Sequence, residues 1–265
     1  MSKRNTHSTE SSSVDYTESA DDLENRIRAH KFFSKTSLET VLTECIESVP
    51  EKANILDLGC GSGNYYELFS SKAQCYVGID ISKDLLKEFS GKQKSSVVLI
   101  NSSMDNFPNF QNGSFDAIFS IYSIYYSSRP IDLIANLHAA LSGKGHLFVI
   151  GPSQGMHAKE ISDFCHTVAN GNHKFVKKNT RIENFHSMIV PEILRQFSSV
   201  NLEEIDGALH FPSSEEWARY VSSTPQVREC SDLKRHQLLE LATEFSKINN
   251  CRYISKNITV VTASK

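Results

Sequence analysis

Long apolar runs are missing from this chain: no stretch approaches the roughly 20 consecutive apolar residues that a membrane-spanning helix needs. A basic excess is missing too. Lys and Arg number 28 against 31 Asp and Glu, a formal net charge of −3, so the composition advertises no nucleic-acid-binding face. The six cysteines form no CxxC pair and have no histidine at zinc-ligand spacing. Neither a metal site nor a disulfide framework is expected from them. The opening residues MSKRNTHSTESSS lack the apolar segment of a secretory signal, which predicts a cytoplasmic protein with reduced thiols. What remains is an ordinary globular balance, 39% hydrophobic and 22% charged in 265 residues, enough for one large domain or a domain with a cap.

Residues 1–18 are rich in Ser, Thr and charge and are expected to form a disordered tail. Structure should begin near Ser19, which has capping-box spacing to Asp22. Leu23, Ile27 and His30 then share a helical face. A second helix is expected after Thr36, capped with Glu39, its Leu38, Val41, Leu42, Cys45, Ile46 and Val49 forming a stripe that Pro50 ends. These two helices make a unit over 19–50.

From residue 51 to 151 the pattern changes to short apolar runs alternating with helical segments. ANILDL, AQCYVGID, SVVLIN, SFDAIFS and GHLFVIG read as strands. Among the helices between them is one from Pro130 to Leu141 that Gly143 is expected to stop. Such alternation means right-handed crossovers and a parallel sheet covered on both faces, a doubly wound α/β fold. Residues 152–230 loosen into helices with irregular joints and one further strand, SSVNLEEIDGALHF. Within them a short helix should follow Ser213, capped with Glu216. A last helix from about Ser231 and a final strand NITVVTA fill 231–265.

The chemistry is concentrated in Ile55-Leu56-Asp57-Leu58-Gly59-Cys60-Gly61-Ser62-Gly63. The stretch ends a strand and opens a helix, and glycines there let the backbone turn tightly and approach a ligand at a helix N-terminus. About twenty residues on, the second strand ends in Gly78-Ile79-Asp80, where a carboxylate can take both hydroxyls of a ribose. A dinucleotide turn would read GxGxxG, and Asn64 stands where its third glycine belongs.

The run ILDLGCGSG resembles the first motif of the class I S-adenosylmethionine-dependent methyltransferases at every position. GID, SSMDNFPNFQNGSFDAIFS and LHAALSGKGHLFVIG resemble that family's later elements in the right order. The resemblance implies a seven-stranded, mostly parallel Rossmann-like sheet with a helical cap, the last strand inserted antiparallel beside strand five. It implies S-adenosylmethionine as cofactor, held by Asp57, Gly59, Cys60, Gly61, Gly63, Asp80 and Ile81. Ser103 and Met104 would stand at the adenine and Ser120 near the methyl donor. The segment Ser19–Ser34 is similar to a lead-in of small-molecule methyltransferases, which places Tyr16 and Arg26 over the methionine end, Arg26 sharing a face with His30.

Two departures stand out. Ser103 occupies the position where the family often has an adenine-binding Asp, and Lys144 interrupts the Gly-Gly turn before strand five. Ser120 stands where metal-dependent relatives need an acidic residue. The signature of relatives that methylate adenine or glutamine is absent. The expectation is therefore a metal-independent methyltransferase of a small oxygen or nitrogen acceptor, with no nucleic-acid or membrane partner and no assigned catalytic residue. Tyr122, Tyr125 and Tyr126 are candidates to shape the acceptor pocket, and one of His157, His173, His186 or His210 a candidate base. Phe185, Met188, Phe211 and Trp217 could line its apolar wall. A nicotinamide-dependent oxidoreductase and a non-catalytic cofactor-binding protein are the alternatives.

Overall fold

The structure is a computed structural model that describes residues 20–91, 96–154, 159–169 and 183–265. The tail expected over 1–18, Tyr16, His157 and His173 lie outside the described residues. Two helices open it, α1 (Ala20–Phe33) and α2 (Leu38–Glu47). Ser37, one residue later than expected, caps α2 by accepting the Thr40 N–H at 3.1 Å. Alternation then follows as read: β1 (Ala53–Leu58), α3 (Tyr66–Ser70), β2 (Ala73–Asp80), α4 (Lys83–Ser90), β3 (Val97–Asn101), β4 (Phe115–Ile121), α5 (Pro130–Ala140) and β5 (Leu141–Pro152). Gly143 does not stop α5. The helix ends at Ala140 because Leu141 is already extended, at φ −71° and ψ 140°.

Seven strands form one sheet in the order β3-β2-β1-β4-β5-β9-β6, with β6 at Ser199–Asp206 and β9 at Asn257–Ser264. The first five pair in parallel, and β9 enters antiparallel between β5 and β6, the arrangement the resemblance implied. β1 is the switch point, since the chain leaves it toward β2 on one side and returns to β4 on the other. A ligand crevice opens there beyond the strand ends. Both faces are covered. Leu56, Leu58, Ile118, Leu147 and Val149 pack under α5 on one side, and Ile55, Tyr76, Phe119, Phe148 and Ile150 under α2 to α4 on the other. No helix among the described residues is long and apolar enough to cross a membrane.

A third core belongs to the cap. It draws on α1, on α6 (Lys159–Val168), on α8 (Ser214–Ser222), on α9 (Pro225–Glu229) and on α10 (Arg235–Ile248), α7 being Val190–Gln196 under the sheet. A short pair, β7 (Leu209–His210) and β8 (Tyr253–Ile254), completes it. Ser213 caps α8 through the Glu216 N–H, as its spacing suggested. The last helix begins at Arg235 and packs on the cap rather than on the sheet: Phe245 stacks on Trp217, centroids 5.8 Å apart. Most of the cap therefore lies between β6 and β9, not between β5 and β6.

Candidate active site

The loop after β1 is built by two glycines with different reasons for being glycine. Gly59 has φ +81°, and a Cβ there would come within 2.3 Å of the Ser123 Cβ. Gly61 has φ +53°, but its Cβ would meet nothing nearer than Leu85, at 3.8 Å. The first is needed by the protein's own packing, while the second faces space the protein leaves open. Gly63 closes on Phe89, and Cys60 is buried with its sulfur turned toward Gly78.

Asp80 ends β2 beside this loop and accepts the N–H groups of Gly61 and Ser82, each at 2.8 Å, one on either carboxylate oxygen. Each oxygen keeps a lone pair, so the carboxylate can still accept two hydroxyls. Burial raises its pKa, against the pull of the Ser82 and Gly61 N–H groups. The next residue, Ile81, is 51% exposed. An apolar side chain left bare beside that carboxylate offers a surface to a flat ring. Open space at Gly61, two free acceptor positions on Asp80 and an apolar shelf at Ile81 together fit a nucleoside.

Asp57 lies beneath the loop, buried, and accepts the Tyr76 hydroxyl at 2.6 Å. Burial pushes its carboxyl up to about 7, the Tyr76 hydrogen bond opposing and Asp80 adding to the rise. Ser103 caps a short turn through the Asp105 N–H, and Met104 packs half-buried against the core. Asp105 itself is occupied by the Ser127 hydroxyl and the Ser128 N–H. Ser120 is fully buried, its hydroxyl 2.6 Å from that of Ser123, which in turn donates to the Leu58 carbonyl. The pair braces the end of β1 from below.

One residue from that brace, Tyr122 adopts φ +51°, a strained setting for a bulky side chain and one that clusters at functional sites. Its hydroxyl is buried with no hydrogen-bond partner among the described residues. Around it stand side chains from distant segments. The His30 ring is stacked at 6.4 Å, and Tyr220 meets His30 edge-on at 5.7 Å. Lys256 Nζ lies 4.7 Å from the Tyr122 ring centroid and 3.1 Å from His30 Nε2. Arg26 donates to the Ser223 carbonyl at 2.9 Å. His30, Tyr122, Tyr220 and Lys256 all lie deep in the protein, yet His30, Tyr122 and Lys256 keep part of their surface accessible. They line a recess.

Electrostatics in the recess are one-sided. Burial, with Lys256 and Arg26 nearby, holds the His30 imidazole well below its ordinary value. Burial and the Arg26 charge bring the Lys256 ammonium down to about 7.

Sequence reasoning named Arg26, His30 and Tyr122 but missed Tyr220 and Lys256. No motif marks Lys256. Its only signal is position, immediately before the strand that pairs with β5. Of the histidines named as bases, the two among the described residues do not join this cluster: His186 contacts the Pro152 carbonyl, and His210 packs on Tyr253. Phe185, Phe211 and Trp217 are buried in the cores and Met188 is exposed. Tyr125 packs on Tyr126 and Phe185.

Residues 56–149 match the family model described as a methyltransferase domain. An 18S rRNA (guanine-N(7))-methyltransferase of Schizosaccharomyces pombe is 31% identical over 108 residues, 38% of this chain and 40% of that one. A tRNA U34 carboxymethyltransferase of Alcanivorax borkumensis is 32% identical over 98 residues, 35% of this chain and 30% of that one. The chain thus spans less than half the length of either relative. Among solved structures, the YcgJ protein of Bacillus subtilis superposes with a TM-score of 0.58 at 12% identity, over 86% of this chain and 97% of that one. A Haemonchus contortus phosphoethanolamine N-methyltransferase, in complex with S-adenosylhomocysteine, gives 0.54 at 16% identity, over 90% and 56%. These structural likenesses are likenesses of fold. With the loop geometry above, residues 56–149 are a class I S-adenosylmethionine-dependent methyltransferase domain, and S-adenosylmethionine is the cofactor of that domain.

Proposed function

We propose that the whole chain transfers a methyl group from S-adenosylmethionine to a small-molecule acceptor, at oxygen or nitrogen and without a metal. The observation that carries this reading is the cluster of His30, Tyr122, Tyr220 and Lys256, brought together from α1, the end of β4, α8 and the turn before β9, with Tyr122 adjoining the Ser123 that packs on Gly59. Its cations and hydroxyls are largely buried rather than spread over the surface, which suits a molecule of few atoms. A nucleic-acid groove would present its cations outward to successive phosphates.

S-adenosylmethionine supplies a methyl group already activated on a sulfonium centre. The chain has to bind, orient and exclude water. Asp80 would take the ribose hydroxyls, with the Gly61 backbone alongside, and Ile81, Ser103 and Met104 would flank the adenine. Asp57 would steady the loop from below, and Cys60 would fill the space behind it. Tyr16 and Arg26 would meet the methionine end, where a guanidinium pairs well with a carboxylate. Ser120 acts through Ser123 as a support of the loop.

An RNA acceptor is the second reading, favoured by the names of the relatives. Their likeness extends over about a hundred residues, the length of the cofactor-binding core, which leaves the cap side unspoken for. The deciding experiment incubates the full chain with S-adenosylmethionine and either pooled small hydroxy, amino and carboxylic compounds or total RNA, and follows S-adenosylhomocysteine release. Turnover with a small compound is expected. Methylation of RNA and of none of the compounds would overturn the reading.

A further inference from the structure

Resting on the methyltransferase reading, we infer that the acceptor is an oxyanion, a carboxylate or phosphate ester, gripped by Lys256 and Tyr122 on the cap side of the recess.

The argument begins with donors left unspent. A lysine ammonium has three N–H groups. One of Lys256's is directed to His30 Nε2 at 3.1 Å, and the ammonium lies over the Tyr122 ring, an attraction between cation and ring face. That leaves an N–H without an acceptor among the described residues. The Tyr122 hydroxyl is the second, buried and unpartnered among the described residues. Burial raises the pKa of this phenol, so it stays a proton donor. An unmet buried donor costs free energy unless a ligand meets it, and two beside each other are met best by a group that only accepts.

The surrounding charges point the same way. α1 contributes Arg26 and His30, the end of β4 contributes Tyr122, and α8 contributes Tyr220. None of these is acidic. Glu160 on α6 accepts the N–H and hydroxyl of the neighbouring Ser255, Asp22 on α1 pairs with Arg235, and Asp206, beside Asn257 in the sheet, pairs with Lys35. Lys256 therefore has no anionic partner of its own among the described residues. A buried cation without a counter-ion gives up its proton or acquires an anion. Burial and the Arg26 charge depress the Lys256 pKa, and an anion beside the ammonium would raise it and draw in a proton. The recess lies at the junction of β5 and β9, where Pro152 pairs with Ile258 two residues after Lys256.

The test titrates malonate, its neutral diamide malonamide and inorganic phosphate into the full chain saturated with S-adenosylhomocysteine, by calorimetry. Saturable binding of malonate or phosphate, but not of malonamide, is expected, and the stronger of the two anions names the source. With burial and Arg26 bringing the ammonium down to about 7, malonate affinity is full below that pH. It should fall about tenfold per pH unit above it, until the raised pKa of the complex is passed. Lys256→Met should weaken malonate binding about tenfold or more at about pH 6 and flatten the profile. Lys256→Arg should hold the affinity at about pH 9. S-adenosylhomocysteine binding by each variant shows that it has folded. Three results would overturn the inference: malonamide binding as tightly as malonate, no binding of either anion, or anion affinity that Lys256→Met leaves unchanged. Anion binding to the free chain that disappears on saturation would also overturn it, since the cluster would then serve the cofactor's own carboxylate. If S-adenosylhomocysteine itself fails to bind, the methyltransferase reading falls; if it binds and no anion does, only this inference falls.

Discussion

The glycine loop and the recess beside it are made in opposite ways. The loop is nine consecutive residues, Ile55 to Gly63, whose working parts are backbone: positive φ angles, N–H groups and the space at Gly61. The recess is made of side chains from α1, the end of β4, α8 and the turn before β9, and its His30 and Lys256 are 226 positions apart. A site made of backbone repeats wherever the same local geometry is needed, so it carries the class of reaction. A site made of side chains brought together by a cap is particular to its chain, and it is there that the acceptor is chosen.

That contrast is broken most violently at Gly59. Gly59→Val puts a branched side chain at φ +81° and into Ser123, and should cost roughly 3–5 kcal/mol in denaturant unfolding, left-handed strain and overpacking combined. Gly61→Val brings its Cβ only into ordinary contact with Leu85, at 3.8 Å, and should cost about 1–2 kcal/mol, while abolishing S-adenosylhomocysteine binding. Equal destabilisation by the two changes would mean that Gly61 is also held by packing rather than by a ligand.

Next in size is Asp57. Its folded pKa of about 7 stands above the ordinary carboxylate value of 3.8, so the folded state binds the proton more tightly than the unfolded one. Stability is then greatest below about pH 4, declines as pH rises to about 7 and levels off above, by on the order of 2–4 kcal/mol in all. Asp57→Asn should remove that decline. A variant as steep as the parent in unfolding measured across this range would assign the slope elsewhere.

Asp80→Ala should weaken S-adenosylhomocysteine binding by about 1.5–3 kcal/mol, the worth of hydrogen bonds to a charged group. Unchanged affinity by calorimetry would move the ribose off Asp80. The smallest effect on stability is expected from Tyr122→Phe, within about 1 kcal/mol because the hydroxyl it deletes has no protein partner, yet turnover of the acceptor should drop. Unfolding curves and methyl transfer, measured together, check both halves.

The loop and the sheet were legible in the sequence because their determinants are local. Alternating runs gave the strands, and Asp80 followed ILDLGCGSG at the distance one crossover requires. Even the antiparallel entry of β9 came with the resemblance. The cap was harder. Its helices are visible by period, but Phe164, Trp217 and Phe245 show no sign in one dimension that they share a core. Lys256 was invisible for a related reason: a lysine before a strand reads as solvated until α1 and α8 are folded over it. Ser37 rather than Thr36 as the α2 cap, and Leu141 rather than Gly143 as the end of α5, show how one to three residues of slippage survive when several residues could serve.

The most direct measurement is calorimetric titration of the full chain with S-adenosylhomocysteine, beside parallel titrations with NAD and NADP. One-to-one binding of S-adenosylhomocysteine that Asp80→Ala weakens, with no heat from either dinucleotide, is the expected result. Binding of a dinucleotide and not of S-adenosylhomocysteine would contradict a methyltransferase and restore the oxidoreductase alternative.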